Sequence, residues 1–230
     1  MKEILCNSAY FGVTVSLIGY GAGIMLKKKF KYAFLNPLLI SIIFVIGVVM
    51  LCGVDYESYE NSAQYLGYLL TPATVCLAVP LYQQMTLLKK NLAAVACGIL
   101  AGVLASLGSV LLLAFLFGLE HDVYVTLLPK SITTAIGMGV SEELNGIVTI
   151  TVAVIIITGV VGNVLADFVY KLFHVTHPVA KGVGLGTSAH AIGTAKALEM
   201  GEIEGAMGGL SIAVAGILTV IVAPIFSHIL

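Results

Sequence analysis

The sequence predicts an all-α polytopic membrane protein, with about six transmembrane helices plus two re-entrant or broken segments arranged as an inverted repeat. Three observations predict it. Of the 230 residues, 59% are hydrophobic and only 10% charged, and the mean hydropathy is +1.07. A soluble domain carries about 25% charged residues, so most of this surface must face lipid. Lysines and acids alternate along the chain in an order that sets which loops lie on which side. Two stretches are rich in glycine and hydroxyl residues where a plain span would be apolar. At about 20 residues per span, residues 1–230 make a single membrane domain.

Residues 6–26 read as the first span, stopped by Lys27, Lys28, Lys29 and Lys31. The stretch has no A-x-A-like cleavage site, so it reads as a retained span and not a signal peptide. Residues 36–54 read as the second span. Asn36-Pro37 is a good helix start, and the span ends before an acidic loop with Asp55, Glu57 and Glu60. Residues 65–84 read as the third, broken by Pro72 and Pro80 and followed by Lys89 and Lys90. Residues 91–118 read as the fourth and precede Glu120 and Asp122. Lysine-rich loops stay inside. Four crossings therefore satisfy these charges, with the N-terminus outside.

The next stretch does not fit simple crossings. Residues 147–170 form a long span that ends at Lys171, His174, His177 and Lys181, so it must begin outside. Residue 122 is outside too. Residues 123–146 then start and finish on one face, as a dip into the membrane and back. The same logic makes 182–203 a dip from the inside, before 205–227 crosses outward. Such backbone is tolerated at membrane depth only where protein or a water-filled cavity covers it. The dips also resemble each other. Ala135-Ile136-Gly137 matches Ala191-Ile192-Gly193. Glu143 and Glu199 follow at equal spacing, and Gly159 and Gly216 sit in the spans that come next. The repeat units are 123–172 and 181–228, in opposite orientations.

The candidate binding residues are Ser131, Thr133, Thr134 and Gly137 in the first dip. In the second they are Thr187, Ser188, His190, Gly193, Thr194 and Lys196. Hydroxyls, an imidazole and free helix-end N–H groups converging at mid-membrane suit a small anion. All 11 basic residues are lysine, which excludes a guanidinium clamp. A net charge of −1 speaks against nucleic acid. Asp167 lies four residues before Lys171, a spacing that suits an ion pair on one helix face. His174 and His177 sit in a basic loop and do not read as a metal pair. Cys6, Cys52, Cys76 and Cys97 read as buried apolar residues. The sequence contains no H-E-x-x-H, G-x-S-x-G, P-loop or dinucleotide fingerprint. It therefore reads as a protein with no catalytic residues, no cofactor and no metal.

Several strings resemble the LrgB/CidB family. They are 36–48 (NPLLISIIFVIGV), 72–82 (PATVCLAVPLY), Ser131-Ile132-Thr133-Thr134, Ser141-Glu142-Glu143 and 181–197 (KGVGLGTSAHAIGTAKA). The tail, from Glu204-Gly205-Ala206 through Gly216-Ile217 to Ala223-Pro224, fits as well. The similarity runs from about residue 10 to the end of the chain. Ala135 and Gly146-Ile147-Val148 depart from it, since the family often has proline at the first of these positions and a G-I-P-like turn at the second. The resemblance implies a multi-pass protein of the bacterial cell membrane. It also implies transport of small monocarboxylates such as glycolate, glycerate or pyruvate, linked to control of murein hydrolase activity. The alternative it implies is a holin- or antiholin-like pore or regulator of autolysis without carrier activity. The implied partners are the lipid bilayer, a small LrgA/CidA-like membrane protein and further copies of the chain.

Overall fold

The structure is a computed structural model that describes residues 8–30 and 35–230. Cys6, Lys31 and the start of the first span lie outside the described residues. Among these residues the chain is helical throughout. The helices are α1 (Phe11–Phe30), α2 (Pro37–Cys52), α3 (Tyr56–Gly67), α4 (Leu70–Gln83), α5 (Met85–Lys90), α6 (Leu92–Phe117), α7 (His121–Leu127), α8 (Thr134–Glu143), α9 (Val148–Leu172), α10 (Pro178–Met200) and α11 (Glu202–Ser227). They form two compact units, Met1–Cys76 and Leu77–Leu230, whose boundary falls inside α4. The chain is an all-α polytopic membrane protein. α6, α9 and α11 are each long and apolar enough to cross a bilayer, and α2 is a shorter apolar helix. At 1.5 Å per residue these three helices reach roughly 38 Å, more than the ~30 Å of a hydrocarbon core.

In the first unit, α2 begins where the sequence indicates. Pro37 supplies the pre-set first helical residue. The Asn36 side-chain oxygen accepts from the N–H groups of Leu38 at 2.8 Å and Leu39 at 3.3 Å. α2 ends at Gly53, whose φ of 62° and ψ of 29° give it the left-handed geometry of a helix stop. The acidic stretch that follows is a helix and not the expected loop. Asp55 caps α3 by accepting from Ser58 N–H at 2.8 Å, and Glu57 sits in the first turn, where a negative charge suits the helix dipole. Acids that look like loop punctuation are here helix-start signals. Pro80 lies inside α4 without ending it. Cys76 and Cys97 are exposed, not buried, and both are free thiols. On an apolar surface meant for lipid, a small apolar residue gains nothing from pointing inward.

In the second unit, α11 is the post on which two interrupted segments are hung. The second segment, α10, breaks at Ala189 (φ −132°, ψ 18°) and His190 (φ 41°, ψ −133°). Before the break, in α10a (178–188), Gly182 lies against Glu204 and Met207, and Gly186 lies against Gly208 and Ser211. Both sets of numbers rise together, so α10a runs parallel to α11. After the break, in α10b (191–200), Thr194 meets Gly208 and Leu198 meets Gly205, so this half runs back. A Cβ on Gly193 would lie 2.5 Å from the Leu185 carbonyl. Residues eight apart in a straight helix stand about 12 Å apart. The chain has folded back on itself at the break.

The first segment, α7 to α8, reverses as well. Thr126 Oγ1 accepts from Ile147 N–H at 2.7 Å, and Thr151 Oγ1 donates to the Thr126 carbonyl at 2.9 Å. Its two ends therefore touch. The Tyr124 hydroxyl donates to the Phe226 carbonyl at 2.8 Å, which fixes those ends beside the C-terminus of α11. Ile136, near the turn, packs on Gly216 of α11. The second segment has its open end at Glu204 and Gly205, the opposite end of α11.

Thr126, Ser141 and Thr151 form a buried hydrogen-bond set at the mouth of the first segment, joined through the Thr126 carbonyl. Thr151 Oγ1 stands 2.7 Å from Ser141 Oγ as well as bonding Thr126. All three residues are at most 1% exposed. Thr151→Val keeps the shape and leaves Ser141 and the Thr126 carbonyl short of a partner. It should destabilise the protein by about 1–3 kcal/mol, read as a lower midpoint in circular-dichroism melts in detergent. An unchanged midpoint would show that the set does not hold the segment's ends together.

Candidate functional site

The two turns meet against the same neighbours. On α6, Gly102 leaves room for Thr187, where a Cβ would stand 2.8 Å from the threonine hydroxyl. One turn further along, Ser106 donates to Ser131 of the first segment at 2.9 Å. Positions four apart on a helix lie on one face with a rise of about 6 Å, so α6 holds both turns one helical turn apart. α9 does the same. Its Ile155 side chain fills the space beside Gly137 of the first segment. The carbonyl of Ile155 accepts from His190 Nε2 of the second at 3.0 Å.

His190 is 3% exposed, and its ring packs on Gly159, where a Cβ would sit 2.8 Å from Nε2. The carbonyl requires the proton on Nε2. Nδ1 takes no bond from any described residue, so it can serve a ligand. Asn163 donates from its amide to the Ile192 carbonyl at 2.9 Å, pinning the chain just after the break. Thr133 is the N-cap of α8 but makes no capping bond through its side chain. Neither Thr133 nor Thr134 spends its hydroxyl on a described group. The first N–H groups of α8 therefore face the turn without a side-chain cap.

The other candidates are more varied. Thr187 donates to the Val183 carbonyl at 2.8 Å within its own helix. Ser188 is exposed and donates to the Gly184 carbonyl at 2.6 Å. Thr194 is 1% exposed, and its hydroxyl has no partner among the described residues. The cause is local. A helical threonine bonds the carbonyl four residues back, and that residue is His190, whose backbone has left the helix. Gly137 and Gly193 are packing positions. Lys196 forms an ion pair with Asp167 at 2.8 Å, with Glu199 at 3.9 Å. Asp167 thus pairs across to α10b and not with Lys171 as its spacing implied, because α9 and α10 bring the two together in space.

A cavity of about 520 Å³ leads toward the turns. It runs between α6 and α10a, from Asn91 and His177 at one end to Gly102 and Thr187 at the other. The eleven residue steps from Asn91 to Gly102 correspond to roughly 16 Å of helix. His174 and His177 belong to no group of three metal-ligating side chains among the described residues.

Two residues of this site fall outside the sequence reading: Ser106 and Asn163. Lys130 donates to Ser106 at 3.3 Å and to Ser131 at 3.1 Å. The signal for Ser106 was present, since Gly98, Gly102 and Ser106 recur every four residues as a stripe of small side chains along α6.

The model of the LrgB-like family matches residues 16–229. The chain belongs to the LrgB-like family. It is 38% identical over 224 residues to the Antiholin-like protein LrgB of Bacillus subtilis (strain 168), covering 97% of each chain. It is also 38% identical over 218 residues to the Antiholin-like protein LrgB of Bacillus mycoides (strain KBAB4), covering 94% of this chain and 95% of the relative. No solved structure matches it. With these relatives and its long apolar helices, the chain is a multi-pass protein of the bacterial cell membrane. The matched family is one of non-catalytic membrane proteins.

Proposed function

We propose that this chain is an antiholin-like regulator of autolysis that acts by carrying small monocarboxylates across the membrane. The two halves of the proposal rest on different support. The relatives' shared name, antiholin-like, favours the regulatory half. The carrier half is supported by the meeting of two chain breaks, each bearing hydroxyls or an imidazole, between three long apolar helices. A pore has no use for polar turns with spare donors, whereas a carrier needs them.

In this reading the membrane domain has six spans and two re-entrant segments, with 123–172 and 181–228 as inverted repeats. One observation carries it. In each repeat the glycine of the following span packs on the turn of the other repeat. A Cβ on Gly159 would stand 2.8 Å from Ile192 Cδ1, and one on Gly216 would stand 2.8 Å from Ile136 Cδ1. Ile136 and Ile192 are matching positions in the two repeats. Gly137 and Gly193 match as well, and each faces the carbonyl of the residue eight before it, Pro129 and Leu185. Such exchanged, equivalent contacts are what a two-fold axis in the membrane plane produces.

The proposed site comprises Ser131, Thr133, Thr134, Thr187, His190 and Thr194. Gly137 and Gly193 shape it, and Lys196 and Ser188 stand at its edge. A small LrgA/CidA-like membrane protein and further copies of the chain are the proposed partners.

Reconstituted in liposomes, the purified chain should take up glycolate, glycerate or pyruvate saturably, and should distinguish D- from L-glycerate. Leak proportional to concentration and blind to the solute would favour a pore and defeat the carrier half. His190→Ala and the Thr133→Ala/Thr134→Ala pair should reduce uptake to the level of empty liposomes with insertion intact. Full uptake by both variants would remove the site assignment.

A further inference from the structure

We infer that the Lys130 ammonium is the counter-charge that binds the carboxylate, and that, as the one lysine at the junction among the described residues without a carboxylate partner, it limits the site to one negative charge. The inference rests on the carrier reading above and names the group that selects the substrate.

Lys130 sits on the turn of the first segment, next to Ser131 and four residues before the start of α8. Its ammonium reaches across to α6 and is held by two hydroxyls, Ser106 at 3.3 Å and Ser131 at 3.1 Å. No carboxylate among the described residues pairs with it. The ion pairs near the second turn belong to Lys196. Hydroxyls orient an ammonium but do not neutralise it. A cation kept at membrane depth without a counter-ion is expensive. An anion that arrives and leaves would remove that cost only while bound, as a carrier requires.

Three features place an anion here. An ammonium has three donors, and two hydroxyls leave one unused. Thr133 leaves the first N–H groups of α8 without a side-chain cap, so the positive end of that helix opens on the same turn. Across α6, Thr187 stands one helical turn away at Gly102, at the bottom of the cavity. A carboxylate bonded to Lys130 can therefore project a short hydroxyl- or oxo-bearing tail toward Thr187 and His190.

The charge is also one-sided. In the register that matches Gly137 to Gly193, the counterpart of Lys130 is Gly186. The first repeat brings a cation to its turn and the second brings a glycine, its own Lys196 being paired with Asp167 at 2.8 Å. A second carboxylate would have no partner, so a dianion is rejected by the cost of its unpaired charge.

The test measures equilibrium binding of radiolabelled glycolate to the purified full chain in detergent, and uptake in liposomes. Unlabelled glycolamide (the neutral isostere) and malonate (the dianion) serve as competitors. Wild type should prefer glycolate over both. Lys130→Met should weaken glycolate by about 10- to 100-fold and bind glycolamide at least as well as glycolate. Its melting midpoint should rise, since an unneutralised cation has gone. Lys130→Arg should keep the preference for the anion. If Lys130→Met does not fold, Ser106→Ala gives the second measurement, with glycolate weakened a few-fold and glycolamide unchanged.

A Lys130→Met or Ser106→Ala protein that still prefers glycolate as wild type does overturns the inference alone. Lys130-dependent binding by a wild type that transports nothing upholds the anion site and defeats the carrier reading. A wild type that binds neither glycolate nor pyruvate overturns both.

Discussion

Gly186→Leu should cost about 3 kcal/mol or more and leave little folded protein in the membrane, whereas Gly108→Leu should cost nothing. Gly186 lies where α10a presses on α11. A Cβ there would stand 2.5 Å from the Gly208 carbonyl oxygen and 2.7 Å from Ser211 Cβ. The first of these is backbone, in the middle of a long helix, and cannot swing aside as a side-chain tip can. Water drives little of the association between membrane helices, so close backbone approach and dense packing must do it. Adding a side chain at this place removes the approach itself. Gly108, on α6, has nothing within 4 Å of a would-be Cβ, and leucine is the better helix former by about 0.8–1.0 kcal/mol. The pair separates close packing from any general intolerance of bulk. Yield of monodisperse protein and the melting midpoint in detergent measure both. Equal behaviour of the two variants would refute the role given to the α10a–α11 approach.

How much of this was readable in the chain depends on whether the cause is local. Asn36-Pro37 announces α2 because capping needs only three adjacent residues. The places where the chain turns back, around 128–133 and at Ala189–His190, were legible as stretches too rich in glycine and hydroxyls for a plain span. What the sequence hid is set at a distance. The partner of Asp167 is Lys196 on another helix, and nothing in a spacing of four residues ranks that pair above Lys171. Ser106 looks like one more small residue in an apolar run until Lys130 and Ser131 arrive beside it. The acids at 55–60 misled because the same residue types that interrupt a strand or loop also cap a helix. Gly146-Ile147-Val148 closes through the bond from Ile147 N–H to the Thr126 hydroxyl in α7, a partner 21 residues away that no local spacing announces.

His190→Gly should be more stable than His190→Ala by about 1–3 kcal/mol, with both unable to support uptake. At φ 41° and ψ −133°, His190 holds a backbone geometry natural to glycine and strained for any residue with a Cβ, at a cost of about 1–3 kcal/mol. The native ring offsets part of that cost through the bond from Nε2 to the Ile155 carbonyl, worth about 1 kcal/mol, and through packing on Gly159. Alanine gives up the bond and the packing and keeps the strain. Glycine gives up the same contacts and sheds the strain, so its melting midpoint should stay near that of wild type. Equal midpoints for the two variants would mean that the break is not strained. Uptake in the glycine variant would mean that the ring is dispensable. A histidine standing where glycine fits better is a cost that stability alone does not explain. The proposed carrier site would account for it, because at the turn a ring with one nitrogen tethered to the Ile155 carbonyl keeps its other nitrogen for the carboxylate of that proposal.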